Sequence, residues 1–174
     1  FTHYSDLGQA AREELAPDND IRVMIIEDGW GWIIPQTKGR VSIGIVSRKQ
    51  GLKQAHLEEF LANSATVQRL TAGATRHATR MIGNFSYKNT KAWGARYACV
   101  GDAACFIDPV FSSGVTLAIH GAKHIADRLV PALREGREGE PELLADIEAT
   151  QQRGYDTFAA LVYRFYNTHF IDNM

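Results

Sequence analysis

Three short apolar segments follow one another between residues 21 and 47. They cover residues 22–27, 30–35 and 41–46, and turn residues separate them at Asp28-Gly29 and at 36–40. Links this short imply antiparallel pairing. Gly44 offers no side chain for packing inside the third segment, so another group is expected close to its backbone. The pattern therefore predicts an antiparallel β-meander.

The middle of the chain has a weaker pattern. Apolar positions at helical spacing predict a helix at about 52–63. A loop or frayed connector is expected at 71–76, a strand at 80–85, a polar turn at Lys88-Asn89, and a strand at 93–100 that ends at Gly101-Asp102.

The clearest helix of the sequence begins at Ser112 or Ser113. Its apolar positions recur at helical spacing until Pro131, which is expected to stop it. After a charged link at 135–140, Pro141 suits the first turn of a second amphipathic helix that continues to Phe165. Strands, a helix, strands and two helices in this order predict an α+β fold rather than repeated βαβ units. We divide the chain into a sheet region (1–100), a motif and helix (101–134) and a helical region (135–174).

Composition narrows the function classes. The 174 residues are 45% hydrophobic and 22% charged, with a formal net charge of −1. A nearly neutral chain lacks the basic field that would hold nucleic acid or an anionic membrane surface. The longest apolar runs are far too short to cross a bilayer, and the first residues do not resemble a secretory signal, so a cytoplasmic location is expected. Cys99 and Cys105 are too far apart for a C-x-x-C pair and are expected to be buried free thiols.

Residues 101–115, with the sequence GDAACFIDPVFSSGV, carry the most specific chemistry. A strand delivers Asp102, and Ser-Ser-Gly opens a long helix whose free N–H groups and positive dipole end suit an anion. Asp102 is placed to accept hydrogen bonds from polyol hydroxyls, and Gly114 permits close approach of a flat ligand. The alternative from spacing alone is that Ser113 is only an N-cap and Asp102 only a turn residue.

This stretch resembles the second FAD-binding motif of the flavin-dependent halogenases and monooxygenases, which share the p-hydroxybenzoate-hydroxylase-like fold. The resemblance implies that Asp102 holds the ribityl chain of FAD. It also implies that Pro109, Ser113, Gly114 and Val115 lie against the isoalloxazine ring, and that backbone amides of Ser113 and Gly114 hold chloride. The resemblance covers nearly all of the chain and corresponds to the middle and C-terminal parts of such an enzyme.

A second motif, W-x-W-x-I-P at residues 30–35, is similar to one that marks flavin-dependent halogenases. Strand alternation alone places Trp30 and Trp32 on one face, where most such pairs are simply core. The resemblance implies that Trp30, Trp32, Ile34 and Pro35 form a wall of the active site beside the flavin.

The resemblance also implies the activity. FAD and a halide would chlorinate an electron-rich aromatic substrate, with a separate flavin reductase as partner. Tryptophan halogenases typically carry a glutamate where this chain has Phe111, which favours the branch acting on phenols or pyrroles, often tethered to a carrier protein. The alternatives are a hydroxylase or reductase of the same superfamily that uses no halide, or a non-catalytic binding module.

Two features of that family are not found in this sequence. No G-x-G-x-x-G fingerprint for the ADP half of FAD occurs, and no lysine matches the catalytic one, so the catalytic residue is unknown. A first residue of Phe1 leaves a trimmed mature chain or a fragment, and we expect a fragment with weak or no FAD retention on its own.

Other patterns predict structure rather than chemistry. His120 and His124 have metal-ligand spacing on a helix, but no third ligand is evident and no metal is predicted. An aromatic stripe near the C-terminus is expected to be core, although in the family this region lies near the substrate; it comprises Tyr163, Phe165, Tyr166, His169 and Phe170.

Overall fold

The computed structural model describes residues 1–16, 19–94 and 96–167. The chain is α+β, as predicted, and divides into two compact units, Phe1–Ile82 and Gly83–Met174. The three functional regions drawn from the sequence stay a prediction. Two members of the aromatic stripe, His169 and Phe170, lie outside the described residues.

A five-stranded antiparallel sheet forms the first unit, in the order β2-β3-β4-β1-β5. Its strands are β1 (Thr2–Ser5), β2 (Arg22–Ile26), β3 (Gly29–Gln36), β4 (Arg40–Ser47) and β5 (Thr75–Arg76). The predicted meander is confirmed as β2, β3 and β4, with Trp32 opposite both Val23 and Gly44. The close approach expected at Gly44 is also confirmed, because a methyl group added there would overlap the indole ring of Trp32.

Three helices supply the other half of this unit's core: α1 (Gln9–Leu15), α2 (Gln54–Asn63) and α3 (Ala65–Leu70). The predicted helix at 52–63 is confirmed, beginning at Gln54. Side chains from one face of the sheet and from all three helices are buried together; they include Tyr4, Leu15, Ile33, Val41, Ile43, Leu57, Leu61, Val67 and Leu70. The opposite face of β3 therefore carries Trp30 and Trp32.

Two antiparallel helices dominate the second unit, α4 (Gly114–Glu135) and α5 (Ile147–Phe165). Before them lie two small ladders. β6 (Tyr87–Lys88) pairs with β9 (Cys105–Phe106), and β7 (Trp93–Gly94) pairs with β8 (Tyr97–Ala98). Asp146, just before α5, accepts hydrogen bonds from Arg128 Nε at 2.8 Å and from His124 Nε2 at 3.1 Å, which ties the segment to α4.

Several local predictions are wrong. Residues 80–85 form no strand; the ladder begins at Tyr87 and includes Lys88, where a turn was predicted. The strand predicted at 93–100 is instead the β7–β8 hairpin, and the predicted loop at 71–76 ends in β5. These ladders are only two residues long, so local alternation does not reveal them, and β6 also pairs with a distant strand, with Cys105 opposite Lys88.

The predicted helix ends are also corrected. α4 runs through Pro131 to Glu135, and α5 begins at Ile147 rather than near Pro141. Burial of Ala132, which is 0% exposed, stabilises the turn that follows the proline. The helix ends at Gly136, whose φ of 69° is the left-handed conformation of a C-terminal glycine.

Candidate functional site

Gly101 brings the chain against α4 just before Asp102. Its φ is +54°, and a methyl group added there would lie 2.8 Å from Cβ of Ala118. The backbone after it is held by Tyr87, whose hydroxyl donates to the Asp102 carbonyl at 2.5 Å, and by Asn89, whose Nδ2 donates to the Ala103 carbonyl at 3.4 Å. The main chain is therefore fixed, while the Asp102 side chain is exposed.

The carboxylate of Asp102 lies beside the first residue of α4. Its Oδ1 is 3.7 Å from the position that a methyl group would occupy on Gly114. That separation is an ordinary van der Waals contact, so the space over Gly114 remains open to a ligand. The structure thus brings together two of the predicted cofactor-binding residues, separated by twelve positions in the sequence.

The start of α4 is built as a donor surface. N–H groups in the first turn of a helix have no partner within that helix, and the dipole of a long helix leaves positive charge there. Ser113 precedes Gly114 and is 5% exposed, but among the described residues its side chain makes no capping hydrogen bond to the helix. Val115 is 70% exposed. Ser113 therefore occupies the N-cap position of α4 without capping the helix through its side chain.

A one-turn 3-10 helix, Pro109–Phe111, connects Asp108 to the start of α4. The Asp108 carboxylate is buried and accepts a hydrogen bond from the Val110 N–H at 3.0 Å. Ser112 adopts the left-handed conformation at φ 51°, and its N–H donates to the Pro109 carbonyl at 2.8 Å. Pro109 itself is exposed.

The tryptophan motif lies in the first unit. The ring centroids of Trp30 and Trp32 are 5.7 Å apart, so the prediction that they share a face is confirmed. Trp32 Nε1 donates to Ser42 Oγ at 3.1 Å, and Trp30 is 4% exposed. Alternation places Ile34 on the same face but turns Pro35 to the other, so the four predicted wall residues do not share one surface.

Other candidate groups have structural partners. His124 is paired with Asp146, and the Arg128 guanidinium together with His124 holds the pKa of that carboxyl below its ordinary value. No group of three or more potential metal ligands occurs among the described residues. Cys105 is buried, which raises the pKa of its thiol, whereas Cys99 is half-buried.

The sequence missed the partner of Asp108. The Tyr166 hydroxyl donates to Asp108 Oδ2, across 58 positions of sequence. Tyr166 was grouped with an aromatic stripe expected to be core, and that stripe divides in the structure: Phe165 is 9% exposed and Tyr163 is 72% exposed. No local signal distinguishes Tyr166 within the stripe.

The fold is similar to that of solved FAD-dependent halogenases. The structure is similar to that of the myxobacterial chondrochloren halogenase, with a TM-score of 0.72 and 30% identity over 95% of this chain and 40% of that one. The halogenase PltM gives a TM-score of 0.76 at 21% identity, covering 95% of this chain and 37% of that one, which shows the fold alone.

A profile of the tryptophan halogenase family matches residues 9–173, and the chain belongs to that family. It is 34% identical over 121 residues to a flavin-dependent halogenase of Armillaria mellea, covering 62% of this chain and 23% of the relative. It is 29% identical over 121 residues to a 1H-pyrrole-2-carbonyl-[peptidyl-carrier protein] chlorinase of Pseudomonas fluorescens, covering 66% and 27%. The chain thus spans about a quarter of the length of these relatives.

No helix among the described residues is long and apolar enough to cross a membrane.

Proposed function

We propose that this chain carries the flavin- and halide-facing segment of an FAD-dependent halogenase that acts on an electron-rich aromatic ring. The observation that carries the proposal is the position of the Asp102 carboxylate beside the open start of α4 at Gly114. A carboxylate that can accept hydrogen bonds from polyol hydroxyls lies there next to a set of N–H donors. FAD presents hydroxyls and an electron-rich ring edge to such groups.

Different residues would contact different parts of the cofactor. Asp102 would accept hydrogen bonds from the ribityl hydroxyls, and two hydrogen bonds fix the main chain that carries it. The missing side chain of Gly114 would let the flat ring approach, with Pro109 and Val115 beside it. The first-turn amides would donate to the ring edge that gains negative charge and, at Ser113 and Gly114, to chloride. When bound, reduced FAD supplies the electrons with which O₂ is activated to oxidise the halide.

The substrate class and the partners extend the same proposal. Phe111 in place of a glutamate, and similarity to a chlorinase of a carrier-bound pyrrole, support a phenol or pyrrole presented by a carrier protein. A separate reductase would supply reduced flavin, and the reaction would take place in the cytoplasm. The proposed wall of the active site remains Trp30, Trp32, Ile34 and Pro35. Only the first three of these lie on one face of β3.

Titration of the intact enzyme that carries this chain with FMN and FAD tests the proposal, because the ribityl chain and ring are common to both. Asp102→Ala removes charge-assisted hydrogen bonds contributing about 1.5–3 kcal/mol, so Kd should rise about 10- to 150-fold. Asp127→Ala, also exposed in the second unit but thirteen positions along α4 from Gly114, is the matched control and should leave Kd unchanged. Equal Kd values for the wild type and Asp102→Ala, or no binding of either flavin at millimolar concentration, would refute the site.

A hydroxylase or reductase of the same superfamily is the second candidate. A flavoprotein/dehydrogenase of Cytophaga hutchinsonii has the same fold, with a TM-score of 0.73 at 23% identity. The mass of the product distinguishes the two activities in an assay that contains a reductase, chloride and a pyrrole or phenol substrate. A halogenase exchanges one hydrogen for chlorine, whereas a hydroxylase adds one oxygen whether or not chloride is present.

A further inference from the structure

The segment that precedes α4 is held by a buried carboxylate with both oxygens engaged. Asp108 is 7% exposed; its Oδ1 accepts from the Val110 N–H at 3.0 Å and its Oδ2 accepts from the Tyr166 hydroxyl. The first bond closes the turn locally, and the second ties the turn to the residue directly after α5. A buried carboxylate needs such donors, because its desolvation is otherwise uncompensated.

Aromatic packing ties the other end of the same turn to α5. The ring of Phe111 meets Phe165 edge to face, with centroids 5.9 Å apart, and Phe165 meets Tyr166 in the same way at 5.6 Å. The left-handed Ser112 follows immediately and directs the chain into Ser113 and Gly114. The conformation of residues 109–114 thus depends on two contacts with the end of α5.

We propose that Tyr166 is a positioning residue for the flavin- and halide-facing segment, acting through Asp108. This inference rests on the proposed function, since it assigns Tyr166 to the same site. The hydroxyl keeps Asp108 oriented, Asp108 keeps the Val110 amide in the turn, and the turn delivers the Ser113 and Gly114 amides. Tyr166 itself need not touch the ligand.

Tyr166→Phe removes only the hydroxyl and keeps the ring that packs on Phe165. Tyr163→Phe is the matched control: the same change three residues earlier, at a side chain that is 72% exposed. NMR hydrogen exchange at the Val110 and Ser112 amides reports the turn without any flavin. We expect exchange about 5-fold faster in Tyr166→Phe, the change caused by losing one hydrogen bond, and no change in Tyr163→Phe.

FMN affinity and the visible absorption band of bound FMN then report the site. A positioning role predicts a Kd raised about 3- to 10-fold and a shifted band in Tyr166→Phe, with the midpoint of thermal unfolding measured alongside to separate site geometry from stability. Asp108→Asn keeps an oxygen acceptor for Val110 and should change the Kd in the same direction.

The outcomes separate this inference from the proposed function. Unchanged amide exchange in Tyr166→Phe overturns the positioning role. Faster exchange with unchanged Kd and band also overturns it, because the turn would then not govern the flavin site, while the Asp102→Ala titration still judges the proposed function. If the intact wild-type enzyme binds no flavin, the proposed function fails first and the inference falls with it.

Discussion

Gly101 offers a direct test of how the chain holds Asp102 against α4. Alanine at this position must adopt a φ of +54° and place its methyl group 2.8 Å from Cβ of Ala118, which belongs to a helix and cannot easily move. The left-handed conformation costs an alanine about 1–2 kcal/mol, and overpacking costs about 1–3 kcal/mol more. Gly101→Ala should therefore lower the free energy of unfolding by about 2–5 kcal/mol.

Gly136→Ala separates these two costs. Its φ is +69°, and an added methyl group there meets nothing within 4 Å, so only the backbone cost of about 1–2 kcal/mol applies. Both glycines belong to the same unit, Gly83–Met174. For a unit of this size each kcal/mol lowers Tm by about 4–8 °C. Urea and thermal unfolding, followed by the far-ultraviolet circular dichroism of the helices, measure the difference between the variants.

A double variant isolates the free-energy cost of overpacking. In Gly101→Ala/Ala118→Gly the opposing methyl group is gone, so the overpacking cost should be recovered, offset by about 1 kcal/mol for glycine inside a helix. Equal destabilisation by Gly101→Ala and Gly136→Ala would show that the 101–103 turn does not press against α4. The account of how Asp102 reaches Gly114 would then be wrong.

Two further changes test the first unit. Gly44→Ala inserts a methyl group into the indole ring of Trp32 and should destabilise this unit by about 1–3 kcal/mol with a change in tryptophan fluorescence. Gly8→Ala, in the same unit and with nothing within 4 Å, should do neither. The Arg76 guanidinium lowers the pKa of Glu58 from 4.5 to about 2. A depressed folded-state pKa contributes stability above pH 4.5 that is lost as the pH falls to about 2. Glu58→Gln should therefore flatten the fall of Tm in that range and Glu59→Gln should not; parallel Tm curves for the two variants would contradict the ion pair.

Local sequence patterns were sufficient to predict some secondary-structure elements and not others. The meander was predictable because β-branched segments and tight turns adjoin one another in the sequence, and α2 and α4 because their apolar positions repeat. β1 and β5 were missed, since four- and two-residue strands carry almost no periodicity and are stabilised by pairing with distant strands. Pro131 misled the prediction because burial of Ala132 outweighs local propensity.

The same distinction applies to the candidate site. Asp102, Ser113 and Gly114 could be selected because a turn followed by a helix start is a local pattern. The contact of Gly101 with Ala118 and the bond from Tyr166 to Asp108 could not, because each joins residues far apart in the sequence. The sequence identifies the groups that would meet a ligand, whereas the groups that fix their positions emerge only from tertiary packing.

The way Asp102 is held has a consequence for binding. Its main chain is anchored by a crowded glycine and by hydrogen bonds to the carbonyls of residues 102 and 103, while its carboxylate is exposed. A ligand that bonds to this carboxylate meets an acceptor whose main chain is already fixed, so the conformational entropy lost on binding is that of the side chain. Because none of these anchors uses the carboxylate, its removal should lower the affinity for the ligand without loosening the turn. Loss of the Tyr87 hydroxyl should instead loosen the turn and leave the carboxylate's chemistry intact. Affinity and the order of the turn are therefore expected to respond to different substitutions, Asp102→Ala and Tyr87→Phe.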